Sequence, residues 1–138
     1  MNTRNQRTDT ANVKGAAVVE LAVVLPLLLT IVFGIIEFGW VFMVRETLVN
    51  ASREGCRVAV LQGSTQQDIM DRVADSMAGA GLSGYSVQIT TSTPSNPTET
   101  VKVLIPYGEV SLLGGYFFGG STDFNLTATT IMRKEGAD

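Results

Sequence analysis

A long apolar run near the N-terminus limits what this chain can fold into more than any other feature. Between Leu21 and Val44 the only charged residue is Glu37, and the run is rich in Leu, Val, Ile and Phe. About 20 such residues are enough for a helix to cross a bilayer. The rest of the 138 residues is too small to surround the run on every face in a soluble core. The run therefore predicts one membrane-spanning helix over about residues 21–44.

The charges that flank the run predict its orientation. Residues 1–15 contain three basic residues and one acidic residue, whereas Arg45 is offset by Glu46 just after the run. The positive-inside rule then keeps the N-terminus in the cytoplasm and exports everything after Val44. A secretory signal peptide would need a small-residue cleavage site directly behind the run, and no A-x-A pattern lies close behind Phe38. We therefore expect a single-pass membrane protein with an exported C-terminal part.

Composition argues against nucleic-acid binding and against enzyme chemistry. The net charge is −3 and no basic stripe with interleaved aromatics occurs, so nucleic acid is not an expected partner. Histidine is absent and Cys56 is the only cysteine, which excludes an intramolecular disulfide, a His/Cys zinc site and a Ser-His or Cys-His nucleophile pair. We expect no catalytic residues, no metal and no cofactor. Cys56 is interpreted as a packing residue, with an intermolecular disulfide as the alternative.

Glu20 places a carboxylate at the start of the apolar run. A charge within the hydrocarbon costs roughly 2.5–3.5 kcal/mol on insertion scales and therefore needs a partner. No basic residue lies between Gly15 and Val44. If the chain were cut between Gly15 and Ala16, the new α-ammonium of a neighbouring copy could neutralise Glu20 at the same depth. The alternative is an interfacial acid that reaches the headgroups or stabilises the helix N-terminus.

The stretch "GAAVVELAVVLPLLLTIVFGIIEFG", followed by "ASREGCRVAV", resembles the TadE family of minor pilins, or pseudopilins, of tight-adherence (Flp) pilus systems. The shared features are a G-x-x-x-x-E pattern, a proline in the first half of the helix, a Gly and an acid before a Phe-Gly pair, and an A-R-E-G-x-R-like continuation. The matching positions are Gly15, Glu20, Pro26, Gly34, Glu37, Phe38, Gly39, Ala51, Arg53, Glu54, Gly55 and Arg57. The resemblance covers about the first 60 residues and, weakly, the C-terminal "TATTIMRKE".

This resemblance implies a subunit that takes part in assembling a tight-adherence, type IV-like pilus at the bacterial inner membrane. A prepilin peptidase would remove residues 1–15 as a basic cytoplasmic leader by cutting between Gly15 and Ala16. Glu20 would then pair with the N-terminus of a neighbouring subunit. The implied partners are this peptidase, other pilus subunits, the inner-membrane assembly platform and the lipid bilayer. The alternative is an unprocessed single-pass anchor whose head binds a partner in the cell envelope.

Ala16 would be the first mature residue. Type IV pilins and type II secretion pseudopilins usually carry a methylated phenylalanine at that position. The alanine favours the tight-adherence branch.

Four further residues of the helix are candidates for intramembrane packing or pairing. Pro26 lacks an amide donor and should loosen the helix. Gly34 and Gly39 would permit close helix approach, although their spacing is not G-x-x-x-G. Glu37 could reach water near the outer boundary or pair with a basic group on an assembling neighbour.

Apolar residues with helical spacing extend the first helix beyond the membrane, so that it covers residues 16–62. They are Val44, Leu48, Ala51, Gly55 and Val58. Thr65 is expected to cap a short second helix, with Asp68 in its first turn. The acids Asp68, Asp71 and Asp75 are read as a solvated face rather than as a calcium site.

Alternation of apolar and polar residues predicts three strands in the remaining chain, around residues 85–91, 101–105 and 124–132. The predicted fold class is therefore α+β: a long N-terminal transmembrane helix, a short second helix and a three-stranded antiparallel sheet, as in pilin-like subunits. Residues 63–138 form the exported head.

The glycine-rich segment "SLLGGYFFGG" between the last two strands fits neither a regular strand nor a helix. It is expected to form either a loop that covers the core or an exposed docking patch. The patch would consist of Leu112, Leu113, Tyr116, Phe117 and Phe118.

Overall fold

The computed structural model describes the backbone of residues 5–134 and the side chains of residues 15–134 except at position 118. Residues 1–4 of the predicted leader lie outside this range. The elements are α1 (Asn5–Ala59), α2 (Gln66–Gly79), β1 (Ser86–Thr90), β2 (Thr98–Pro106), α3 (Tyr107–Val110), a 3₁₀ turn (Tyr116–Phe118) and β3 (Asn125–Arg133). The predicted α+β class, with a long first helix, a short second helix and a three-stranded antiparallel sheet, is confirmed.

The chain divides into two compact units, the first ending at Ile36 and the second beginning at Glu37. In the first unit α1 exposes large apolar side chains, among them Val23 (74%), Leu27 (63%) and Ile35 (68%). Such a surface is unfavourable in water and stable in hydrocarbon. This helix is long and apolar enough to cross a membrane, and it fits a single-pass membrane anchor.

The second unit joins the predicted head, residues 63–138, to residues 37–62, and this whole unit is called the head from here on. Its core is built on one face of α1. Val44, Leu48 and Ala51 are fully buried, as the helical spacing predicted. They share this core with α2 and with the inward-facing residues of β2. Helix α1 ends at Ala59, slightly before the predicted Gln62.

Helix α2 begins as its sequence predicts. The hydroxyl of Thr65 accepts the backbone N–H of Asp68, and the carboxylate of Asp68 accepts the backbone N–H of Thr65 at 2.8 Å. This reciprocal capping box satisfies two donors that a helix N-terminus otherwise leaves unpaired. It fixes the start of the helix that places Ile69, Val73 and Met77 in the core.

The sheet has the strand order β1-β2-β3, with both pairs antiparallel. Val87 pairs with Val103, and Val103 with Ala128 on the other side. Every second residue of β2 is buried, in keeping with the period of a half-buried strand. The predicted strands thus appear with their apolar faces towards the core.

Glu99 occupies one of the buried positions of β2. The alternation of apolar residues in the sequence did not predict this, because Glu99 is charged. Its Oε1 accepts the hydroxyl of Ser92 at 2.9 Å and the ammonium of Lys134 at 3.1 Å. Burial by itself raises the pKa of a carboxyl, but the hydrogen bonds from Ser92 and Lys134 outweigh it and hold the pKa of Glu99 below its usual value. Oε1 of this acid is therefore paired, whereas its buried Oε2 has no hydrogen-bond partner among the described residues.

Candidate functional site

The carboxylate of Glu37 is fully buried at the start of the head and is hydrogen-bonded by residues far along the chain. Its Oε1 accepts the hydroxyls of Tyr107 at 2.6 Å and Ser111 at 2.7 Å. Its Oε2 accepts the backbone N–H of Leu112 at 3.1 Å. A buried carboxylate is costly in free energy unless hydrogen-bond donors surround it. These three groups supply the hydrogen bonds that the apolar side chains of α1 cannot make. Both oxygens are thus engaged within one chain.

Helix α3 holds Tyr107 in place for this contact. The strand-ending Pro106 precedes it, and the backbone N–H of Tyr107 donates to the carbonyl of Phe124 at 2.8 Å. The ring of Tyr107 stacks on that of Phe124 with centroids 4.6 Å apart. Burial raises the pKa of the Tyr107 hydroxyl, and its hydrogen bond to Glu37 raises it further. The phenol therefore stays protonated and acts as a donor.

Trp40 makes a second contact between α1 and this region, one helical turn after Glu37. Its indole Nε1–H donates to the carbonyl of Val110 at 2.7 Å. Residues three apart lie on the same face of a helix. Glu37 therefore binds both ends of the segment from Tyr107 to Leu112, and Trp40 binds Val110 within it. Together these contacts fix the segment against α1.

Ser111 connects Glu37 to the glycine-rich segment. Its hydroxyl donates to Glu37 and also accepts the backbone N–H of Gly115 at 3.0 Å. Gly115 has φ +77°, and a Cβ there would lie 2.8 Å from the carbonyl oxygen of Ser121. Only glycine fits such a left-handed, closely approached position. The segment is therefore a closed loop whose conformation depends on Ser111 and Gly115.

The structure places the predicted processing and pairing residues within α1. Gly15, Ala16 and Glu20 are all exposed along this helix. The helix continues through Pro26, and the hydroxyl of Thr30 donates to the carbonyl of Pro26 at 2.8 Å. No heavy atom in the described part of the chain lies within 4 Å of a Cβ built on Gly15. The same holds for Gly39, which is exposed on this helix. Gly34, by contrast, is buried.

The five residues of the predicted docking patch do not share one environment. Leu112 and Tyr116 are 54% and 69% exposed, and Leu113 is 36% exposed. Phe117 is half-buried, with its ring centroid 6.2 Å from that of Phe38 and 5.3 Å from that of Tyr116. The side chain of Phe118 lies outside the described residues. The segment therefore combines an inward-packed ring with an exposed apolar surface.

Sequence reasoning singled out Glu37 but missed Tyr107, Ser111 and Leu112 as its partners. They lie 70, 74 and 75 residues further along the chain. An acid within an apolar run does signal that hydrogen-bond donors must exist somewhere. No local spacing identifies which downstream residues provide them.

We expect Tyr107→Phe to lower the free energy of unfolding of the head by about 1.5–3 kcal/mol, because it removes a hydrogen bond to a charged acceptor. Denaturant unfolding of the full chain in detergent micelles, followed by the emission of Trp40, the single tryptophan, would measure this. Tyr116→Phe is the matched control and should have almost no effect, since Tyr116 is exposed. A Glu37→Ala, Tyr107→Phe double variant should lose less than the sum of the single losses. Additive losses would contradict a direct interaction.

A family model described as TadE-like protein matches residues 15–57. The match begins at Gly15 and includes Glu20 and Glu37, so the resemblance predicted from the sequence is confirmed over this segment. No curated protein and no solved structure matches the chain.

Proposed function

We propose that this chain is a minor pilin or pseudopilin that takes part in the assembly of a tight-adherence, type IV-like pilus. The observation that carries the proposal is the TadE-like match over residues 15–57, which starts at the glycine of the proposed cleavage site. The match lies on a helix that exposes apolar side chains and fits a membrane anchor. The same helix continues into a small α+β head. This arrangement supports a structural subunit rather than a catalyst.

In this proposal the chain inserts with its N-terminus in the cytoplasm, and the head is exported. A prepilin peptidase cuts between Gly15 and Ala16. Both residues are exposed, and a Cβ built on Gly15 meets no described heavy atom within 4 Å, so the chain's own structure does not cover the bond to be cut. The mature subunit then joins other pilus subunits or the inner-membrane assembly platform.

Glu20 acts in this proposal as the acid that pairs with the new α-ammonium of a neighbouring subunit. It is exposed on α1, and the sequence supplies no basic side chain between Gly15 and Val44. An unpaired carboxylate is unfavourable in the bilayer, so pairing between subunits lowers the free energy of the assembled state. Assembly thus supplies a partner that the single chain does not have.

The processing step gives a prediction that separates this proposal from an unprocessed membrane anchor. Intact mass measurement and N-terminal sequencing of the membrane form should show Ala16 as its first residue. Gly15→Leu should leave the precursor uncut, because the bulky side chain lies beside the bond to be cleaved. Asn12→Leu, three residues upstream, is the control and should still be processed. A wild-type membrane form that retains Met1 would favour the unprocessed anchor.

A further inference from the structure

The exposed side chains of the glycine-rich loop form an apolar surface with the start of the head's own helix segment. Leu112, Leu113 and Tyr116 contribute from the loop. Phe38 and Phe42 contribute from α1 and are 44% and 63% exposed. The inward-packed Phe117 links the two sides through its contacts with Phe38 and Tyr116. We call these five exposed residues the apolar rim.

The chemistry of the apolar rim is that of a membrane boundary. Residues 110–122 contain no charged side chain, and the first charges on either side are Glu109 and Asp123. Aromatic residues with a polar tip, such as tyrosine, are enriched where hydrocarbon meets headgroups. Surfaces of soluble proteins that face water rarely expose so many neighbouring apolar side chains without charged residues among them.

The position of the apolar rim along the chain points to the same environment. The loop binds Glu37 through the N–H of Leu112, and Glu37 directly follows Ile36, the last residue of the apolar anchor unit. We count the anchor from Ala16, the first residue after the proposed cleavage site, to Ile36. These 21 residues make about 31 Å of helix at 1.5 Å per residue. This length matches the hydrocarbon thickness of a bilayer, which is about 30 Å. Glu37 therefore falls at the outer boundary of the hydrocarbon.

We infer that the apolar rim sits in the outer headgroup and acyl boundary of the phospholipid bilayer, so that the loop is a membrane-seated part of the head. The hydrogen bonds from Tyr107, Ser111 and Leu112 then have a second consequence, because they keep the Glu37 carboxylate away from lipid. Residues 37–43, which the sequence assigned to the membrane span, then lie in this boundary layer, and Val44 already packs in the core of the head. The inference rests on the membrane anchor of the proposed function.

The test uses the full chain with Cys56→Ala, which leaves a single cysteine to be introduced for a bimane label. The label is placed at Tyr116→Cys, with Leu112→Cys as a second rim position. Ser95→Cys in the exposed β1-β2 connection is the water-facing control, and Leu28→Cys is the anchor control. Each variant is reconstituted into phosphatidylcholine vesicles at about one chain per vesicle. The emission of Trp40 before labelling verifies that each head is folded.

Quenching by a lipid carrying a shallow doxyl group is compared with quenching by aqueous iodide. We expect the labels at positions 116 and 112 to lose most of their emission to the doxyl lipid and little to iodide. The label at position 95 should show the reverse. Iodide quenching at 116 and 112 equal to that at 95 would overturn the inference. Shielding from both quenchers that appears only when chains are crowded would also overturn it, because a protein neighbour would then be the occupant.

The anchor control separates this inference from the proposed function. If the label at position 28 is quenched by the doxyl lipid but those at 116 and 112 are not, only the seating of the loop is wrong. If the label at 28 is quenched by iodide instead, the membrane anchor fails and both proposals fall.

Discussion

Glu20→Ala should leave the chain in the membrane fraction and abolish its incorporation into pili. Removing a carboxylate from the start of the apolar run lowers the cost of insertion, by at most roughly 2.5–3.5 kcal/mol, which is the cost at the centre of the bilayer, so anchoring is not impaired. The same change removes the acid that we propose pairs with the α-ammonium of an incoming subunit. Membrane fractionation and immunodetection of sheared pili in a strain that carries only the variant would measure both effects.

Val19→Ala is the matched control for this experiment. Val19 is the neighbouring exposed position on α1, and the change removes a similar side chain without altering charge. It should assemble normally. Glu20→Gln should behave like Glu20→Ala if charge, rather than size, is what assembly requires. Unchanged pilus production in both Glu20 variants would remove the proposed role of this acid.

Gly55→Leu should cause the largest loss of head stability among the changes considered, about 3 kcal/mol. A Cβ at position 55 would lie 2.7 Å from Cγ2 of Val73 and 3.3 Å from Cγ1 of Val101. Here α1 approaches α2 and β2 closely, and overpacking a filled core costs about 1–3 kcal/mol. Small domains have only about 5–15 kcal/mol of stability in total, so this loss is a large fraction. Denaturant unfolding of the full chain in micelles would measure it.

Gly39→Leu is the matched control, because it makes the same substitution in the same helix. No described heavy atom lies within 4 Å of a Cβ at position 39. Glycine is about 1 kcal/mol less favourable than the best residues within a helix, so this variant should be neutral or slightly stabilised. Equal destabilisation by the two variants would show that helix flexibility, rather than close packing at Gly55, is what the glycines provide.

Local patterns in the sequence predicted α1, α2 and the three strands, because each depends on neighbours a few residues apart, whereas the short helix α3 and the 3₁₀ turn were not predicted. The spacing of Val44, Leu48 and Ala51 predicted the buried face of α1, and Thr65 with Asp68 predicted the start of α2. Alternation predicted the strands in the same way. These signals are all short-range. The observed elements lie where the patterns predicted them and differ mainly in where they begin and end.

The polar contacts of the candidate site could not be predicted, because they join residues that no period relates. Glu37 could be recognised as an acid in need of a partner, yet Tyr107 and Ser111 became visible only when the chain was folded. Glu99 was hidden for a different reason. It occupies an inward position in β2 that an apolar residue normally takes, where Lys134 neutralises its charge and Ser92 donates a hydrogen bond.

The distance along the chain between Glu37 and its donors also sets an order of events in time. In a chain inserted N-terminus first, Glu37 reaches the bilayer while Tyr107, 70 residues later, has still to be synthesised. At about 5–20 residues per second, this delay is about 4–14 s. During that interval the carboxylate depends on water for its hydrogen bonds. A subunit truncated before Tyr107 would keep this dependence on water, because it lacks all three donors to Glu37.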